Sequence, residues 1–172
     1  LASVGKPDLS TTVFGKKIDM PIFLSPCAMQ RLYHYNGDKA SARAAEKFGT
    51  FYSMSTMANN TIEEIAEISK GPKLFQLYVH KDQSITDDLI ERCRASGFDG
   101  MCLTVDTLVA GNRERDHRTG FTTPPKLTLQ SLMSFAMRPE WVFNYFTHKK
   151  FELANVKNKT DKGTNIAKSV IE

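Results

Sequence analysis

Between residues 21 and 106, short apolar runs alternate with amphipathic stretches at nearly constant spacing. The runs cover 21–25 (PIFLS), 50–55 (TFYSMS), 73–79 (KLFQLYV) and 100–105 (GMCLTV), so their starts lie 29, 23 and 27 residues apart. Runs this short and this continuously apolar predict strands buried on both faces, as occurs in parallel sheets whose crossover helices cover them. The intervening stretches carry helix start and stop signals. Asp38 is placed to cap a helix running through Phe48, with Gly49 following where a left-handed residue ends it. Thr61 and Glu64 have capping-box spacing, Ile62, Ile65, Ala66 and Ile68 form one stripe, and Gly71-Pro72 stops the helix. In the third stretch Ser84 is the predicted N-cap, Ile85, Leu89 and Cys93 recur four apart on one face, and Gly97 closes it. Cys93 is therefore expected in the core.

The rhythm breaks after residue 106. Residues 107–155 read as a long insertion: a polar opening (GNRERDHRTG), a proline pair at Pro124 and Pro125, then LTLQSLMSFAMRPEWVFNYFTHKKF, rich in aromatic residues and Met. Residues 157–168 are polar and are expected to be mobile. Residues 1–20 read as a lead-in. Repeated strand–helix units with right-handed crossovers predict an α/β fold, a (β/α)8 TIM barrel of which this chain supplies the first four units and the long loop after strand 4. A barrel closes only with eight units, so the expectation is an N-terminal half that needs its missing C-terminal half as a partner. The competing open doubly wound sheet lacks its usual GxGxxG turn after the first strand.

Composition narrows the class. The 172 residues are 41% hydrophobic and 24% charged, which suits a globular unit. The chain starts at Leu1 without signal-peptide grammar, so its start is expected not to be the native one, and its apolar runs fall short of the roughly 20 residues a spanning helix needs. Cys27, Cys93 and Cys102 are odd in number and lack metal-ligand spacing, which argues against a disulfide framework or a zinc site and for a reducing, cytoplasmic setting. A net charge of +4, without basic runs interleaved with aromatics, argues against nucleic acid as partner.

Polar residues gather where each predicted strand ends: Pro26, Cys27 and Ala28, then Ser55, then Gln76 and Tyr78, then Thr104 and Asp106. Strand C-terminal ends are where barrel enzymes place their sites, and residues two apart share a face. Taken singly, Ser55 and Thr104 are ordinary strand-end residues, Tyr78 suits a core aromatic, and Arg113 and Arg115 suit a solvated loop. Asp106 is harder to dismiss, because a carboxylate at the end of an apolar strand is costly to bury without a partner.

In their order and spacing, PIFLSPCAMQRLYH, FQLYV, LTVDT and GNRERD resemble the motifs of the FMN-dependent α-hydroxy-acid oxidase and dehydrogenase family, over nearly the whole chain. The resemblance implies FMN as cofactor and oxidation of a small, lactate-like L-2-hydroxy acid to the 2-oxo acid. Electrons then pass to a quinone or cytochrome, the alternative being an oxygen-using oxidase. It places the backbone around Pro26, Cys27 and Ala28 beside the flavin, and Ser55, Gln76 and Thr104 on the polar edge of the isoalloxazine. Tyr78 binds the substrate carboxylate or hydroxyl, Arg113 pairs with that carboxylate, and Asp106 orients a catalytic histidine. Tyr78 and Asp106 are thus the implied catalytic residues.

That histidine belongs to the family's second half, with a lysine, a second arginine and the phosphate-binding segment; none has a matching motif here. His34, His80, His117 and His148 do not stand in the family's base context, so this chain alone is expected to be inactive, and a non-catalytic fragment is a further alternative. Met57 stands where many members carry a large aromatic, and Cys102 is expected to be inert inside its strand. The aromatic stretch 127–151 resembles the loop that attaches some members peripherally to the inner face of the plasma membrane, with Trp141, Phe143, Tyr145 and Phe146 beside Arg138, His148, Lys149 and Lys150. The bland reading is a helix packed on the barrel or at a subunit contact. A homo-oligomer is also expected from the resemblance.

Overall fold

The computed structural model describes residues 5, 7–105, 112–120, 128–149 and 151–156. Its centre is a three-stranded parallel sheet of β3 (Tyr52–Ser55), β4 (Lys73–Leu77) and β5 (Gly100–Leu103), ordered as in the chain. Tyr52 pairs with Lys73 and Leu74 with Gly100, so each strand begins level with its neighbour. Helix α1 (Asp38–Lys47) leads into β3, α2 (Ile62–Ile68) connects β3 to β4, and α3 (Gln83–Ala95) connects β4 to β5. With the parallel bridge of Leu24 beside β3, four successive segments run side by side in chain order, an arc of a (β/α)8 barrel without the reversal of a doubly wound sheet.

The first predicted strand, 21–25, shrinks to one bridge: Leu24 donates to the Phe51 carbonyl at 3.0 Å and accepts from the Ser53 amide at 3.0 Å. Pro21 has no amide hydrogen to extend the ladder, and Ile22 and Phe23 stay exposed. The other three predicted strands form, each two residues shorter at one end.

β3 is buried along its length and β4 nearly so, whereas Met101, Cys102 and Leu103 of β5 are exposed. The expectation of burial on both faces thus fails for β5, because among the described residues no strand pairs with its far side. Cys102 accordingly sits at the surface instead of inside. The core lies between β3–β4 and the three helices, built from Tyr52, Met54, Phe75, Ile62, Ile65, Ile85, Leu89 and Cys93. Burial pushes the Cys93 thiol up to about 12, so it is an inert apolar group there.

The helix ends show which local signals were read correctly. The Thr61 and Glu64 box closes reciprocally, at 3.1 and 3.0 Å. Gly49 and Gly97 adopt φ of 61° and 68° just past α1 and α3. Two caps differ. Asp82, not Ser84, caps α3, accepting the Ser84 amide at 3.0 Å. Asp38 is the first helical residue, not the cap; Gly37 takes the cap position, and the Asp38 carboxylate turns inward to full burial.

The lead-in holds an unpredicted hairpin of β1 (Thr11–Val13) and β2 (Lys16–Ile18), joined by Phe14 and Gly15, both at positive φ as a two-residue hairpin turn requires. Three-residue strands are too short to show a period. The hairpin covers the N-terminal ends of the sheet: Phe14 meets the Phe51 ring edge-on, Asp19 donates to the Gly49 carbonyl, and Lys16 pairs with Asp99 before β5. The opposite, C-terminal ends are left to chemistry.

The later region folds as α4 (Glu114–Thr119), α5 (Leu129–Ala136) and α6 (Pro139–Thr147). It ends sooner than the sequence implies. Residues 151–156 rejoin the core, where Val156 is fully buried and Asn155 accepts the Ile62 amide at 3.1 Å, adding a second cap to α2. The proline pair at 124 and 125 and the expected mobile stretch 157–168 lie outside the described residues.

Candidate active site at the strand ends

Parallel registry aligns the last residues of three strands. Ser55 pairs with Gln76, and Gln76 with Cys102, whose face Thr104 shares two residues on. The side chains link: Ser55 Oγ donates to Gln76 Oε1 at 3.3 Å, and Gln76 Nε2 donates to Thr104 Oγ1 at 2.7 Å. Ser55 and Gln76 are buried, and Thr104 is half-buried. With strands about 4.8 Å apart, the row extends about 10 Å. It is uncharged and alternates donors with acceptors, which suits the polar edge of a planar heteroaromatic ring.

The row is stapled by a residue that sequence reasoning missed. Thr56 Oγ1 donates to the Gln76 carbonyl at 2.6 Å and accepts the Tyr78 amide at 3.2 Å, tying the end of β3 to the exit of β4. Ser55 Oγ also accepts the Met57 amide at 3.1 Å. Nothing in a one-dimensional pattern separates Thr56 from any other strand-end threonine. Tyr78, two residues beyond Gln76 and half-buried, follows on the same face.

Pro26, Cys27 and Ala28 follow the Leu24 bridge on the neighbouring side of the sheet. Pro26 and Cys27 are exposed and Ala28 is half-buried. Behind them the backbone is pinned: Met29 takes a left-handed φ of 56° and donates to the Met57 carbonyl at 3.1 Å, and the Cys27 carbonyl faces Gln30 Nε2 at 3.5 Å. A short single-turn helix, Gln30–Leu32, completes the turn.

Of the remaining expected residues, Arg113 is not brought into this group. It is exposed at the start of α4, and among the described residues no hydrogen bond or ion pair joins it to Gln76, Tyr78 or Thr104. Asp106 lies outside the described residues. Among those described, no group of His, Cys, Asp and Glu has the arrangement of a metal site.

Behind the row sits a second polar centre. Burial raises the Asp38 carboxyl above its usual range against the hydrogen bonds that it accepts, and burial beside Asp38 raises the Tyr52 phenol well above 10. His80, just past β4, is buried with its pKa lowered by desolvation, and among the described residues its Nε2 has no hydrogen-bond partner.

A further concavity lies elsewhere. A cavity of about 460 Å³ separates the Arg31–Tyr35 turn from α6, walled by Tyr33, Trp141 and Tyr145 with Arg31, Arg138 and Lys149 at its rim. Phe135, Trp141 and Tyr145 stack at 5.2 Å intervals, and Trp141 Nε1 donates to the Leu32 carbonyl at 2.8 Å. Beyond it Leu129, Met133, Met137, Phe143 and Phe146 are exposed. Among the described residues no helix is long and apolar enough to cross a membrane.

Comparison with known proteins gives the family. The family model described as FMN-dependent dehydrogenase matches residues 1–170. Glycolate oxidase 1 of Zea mays is 44% identical over 131 residues, 76% of this chain and 36% of that protein. An L-lactate oxidase of Nostoc sp. is 41% identical over 140 residues, 79% of this chain and 38% of that protein. A crystal structure described as the monotopic membrane protein (S)-mandelate dehydrogenase superposes with a TM-score of 0.85 at 29% identity, covering 98% of this chain and 44% of that one. The chain thus spans somewhat over a third of the length of the curated relatives it matches. Matched by that family model over residues 1–170, and built as an arc of parallel strands joined by helices, it belongs to the FMN-dependent dehydrogenase family, whose cofactor is FMN and whose barrel it represents in part.

Proposed function

We propose that this chain forms the flavin-facing wall of an enzyme that oxidises a small, lactate-like L-2-hydroxy acid to the 2-oxo acid and passes the electrons to a quinone or cytochrome. The observation that carries this reading is the Ser55–Gln76–Thr104 row across three strand ends. The residues present fit FMN: the row would hold the polar edge of the ring, and the pinned backbone at Cys27 and Ala28 would lie against its reacting side, where a small residue leaves room. Bound FMN supplies the two-electron acceptor for the substrate's α-carbon. Tyr78, on the face of Gln76, would orient the substrate carboxylate or hydroxyl. Arg113 would pair with the carboxylate through its guanidinium fork. Asp106 would hold the charged form of a histidine supplied outside this chain. The rest of the barrel is therefore a required partner.

The holoenzyme is expected to show flavin bleaching by L-lactate or a related acid under anaerobic conditions, followed by slow recovery in air and fast recovery with a quinone. Fast recovery in air would favour the second reading, an oxygen-using oxidase, which the glycolate and lactate oxidase relatives support. Absence of bleaching with any 2-hydroxy acid would overturn both.

Peripheral attachment to a membrane's inner face is part of the same proposal. Its support is the exposed apolar face of α5 and α6, together with the superposition of the monotopic membrane protein (S)-mandelate dehydrogenase on 98% of this chain. Rings at headgroup depth with cations beside them suit an interfacial segment. Cosedimentation with phospholipid vesicles is expected, and Phe143→Ser with Phe146→Ser is expected to abolish it; equal pelleting of the double variant would point to a packing surface instead.

A further inference from the structure

Asp38 is fully buried, yet among the described residues it has no cationic partner; its neighbour Lys39 pairs with Glu64 at 3.1 Å instead. Its carboxylate is satisfied by neutral donors from three other segments. Oδ1 accepts from Tyr52 Oη of β3 at 3.0 Å and from Gln30 Nε2 at 3.2 Å, and Oδ2 accepts from the Asn59 amide at 3.0 Å.

Each partner leads onward. Gln30 faces the Cys27 carbonyl with the same nitrogen, and its Oε1 accepts from Ser41 Oγ at 2.7 Å, so both ends of its amide are held. Asn59 Oδ1 accepts the Arg31 amide at 3.0 Å, and Asn59 Nδ2 donates to the Glu152 carbonyl at 2.7 Å, across 93 residues of chain. Asp38 and Asn59 together therefore join the turn after Cys27–Ala28, the end of β3 and the point where the chain returns from α4–α6. A carboxylate held only for stability is a poor solution at this position, since a buried charge without a counter-charge is costly and an apolar side chain of similar volume avoids that cost. What the carboxylate adds is direction: two oxygens fix three donors from separate segments in one geometry.

We propose that Asp38, acting through Gln30 and Asn59, is a positioning residue that sets the flavin-facing backbone at Cys27–Ala28 and the return of the α4–α6 excursion as one unit. This rests on the reading of residues 26–28 as flavin-facing. The excursion's anchorage and the flavin face are then coupled, and disturbing either shifts both.

The test compares the FMN-loaded parent enzyme with Asp38→Asn, Asn59→Ala and the double variant. In Asp38→Asn one oxygen becomes an NH2 group facing donors, so one of the three is orphaned whichever way the amide turns. Asn59→Ala keeps the carboxylate and its bonds to Tyr52 and Gln30, and carries the test if the first variant does not fold. Each single variant is expected to raise the FMN dissociation constant about tenfold, shift the visible absorbance of bound flavin, and speed proteolysis within 112–149. The double variant should do little more than the worse single one. Variants that lose thermal stability but leave flavin affinity and spectrum unchanged would overturn the proposal, as would flavin and proteolysis effects that separate and add. A parent enzyme that does not bind FMN would overturn the underlying reading and this one with it.

Discussion

The strand–helix core and the α4–α6 excursion have similar side chains and opposite surroundings. Ile62, Ile65, Phe75 and Leu89 are fully buried, while Leu129 and Phe146 are each 80% exposed. In the core an apolar stripe meets a strand behind it, and burial stabilises the fold. In the excursion the rings stack on one another through Phe135, Trp141 and Tyr145 and leave their apolar outer face uncovered. The two regions meet through the hydrogen bonds of Trp141 to Leu32, Arg31 to Lys149 and Asn59 to Glu152, and through the Tyr35 ring against His148 at 4.1 Å. An apolar face that stabilises nothing in its own fold is available for a surface outside it.

This contrast is most sharply broken by matched truncations. Phe75→Ala in β4 is expected to cost about 3–5 kcal/mol in urea unfolding, through lost burial and the cavity left behind. Phe146→Ala in α6 is expected to stay within about 0.5 kcal/mol, because the ring is already in water. Equal costs would mean that the excursion packs as a core element after all.

A smaller effect is expected at the seam. Asn155 caps α2 through the Ile62 amide, donates to the Asn60 carbonyl at 3.0 Å and meets Arg92 Nη2 at 3.2 Å. Asn155→Ala is expected to cost about 1–2 kcal/mol and to raise amide exchange in the first turn of α2. Unchanged exchange there would remove residues 151–156 from the core's support.

The smallest effect is electrostatic. Hydrogen bonds from Arg92, at 2.7 and 2.8 Å, hold the Glu63 carboxyl at about 2. A folded-state pKa below the ordinary 4.5 gives stability that is present above about 4.5 and is lost as pH falls towards about 2. Glu63 is half exposed, so solvent screening limits this to about 0.5 kcal/mol. Glu63→Gln should flatten the stability profile over that window by this amount; an unchanged profile would show the pair to be neutral.

How far each part was legible in the sequence follows from the range of the forces involved. The capping box at Thr61 and Glu64, the glycine stops at 49 and 97, and the Ile85–Leu89–Cys93 stripe are local, and all three formed. Ser55, Gln76 and Thr104 could be named because they lie in apolar runs at positions that the family resemblance picks out, but their hydrogen-bonded row depends on parallel registry between strands more than twenty residues apart. Thr56 and Asn59 went unnoticed because their partners lie at a distance in the chain. Asp38 was misread as a cap because Asp before a helix is the ordinary capping signal, and only the packing of Tyr52 and Gln30 around it turns the carboxylate inward.

Between residues 38 and 103 the sequence by itself determined which segments become helices and strands, since backbone preference and side-chain period act within a few residues. It also carried the family's motifs, which need only order and spacing. Tertiary structure alone decided that β5 presents an open face, that the polar strand ends join in one row, and that a buried carboxylate links the turn after Cys27 and Ala28 to a segment over a hundred residues away. These are contacts between surfaces, set by which face meets which, and a linear pattern specifies the faces without their partners.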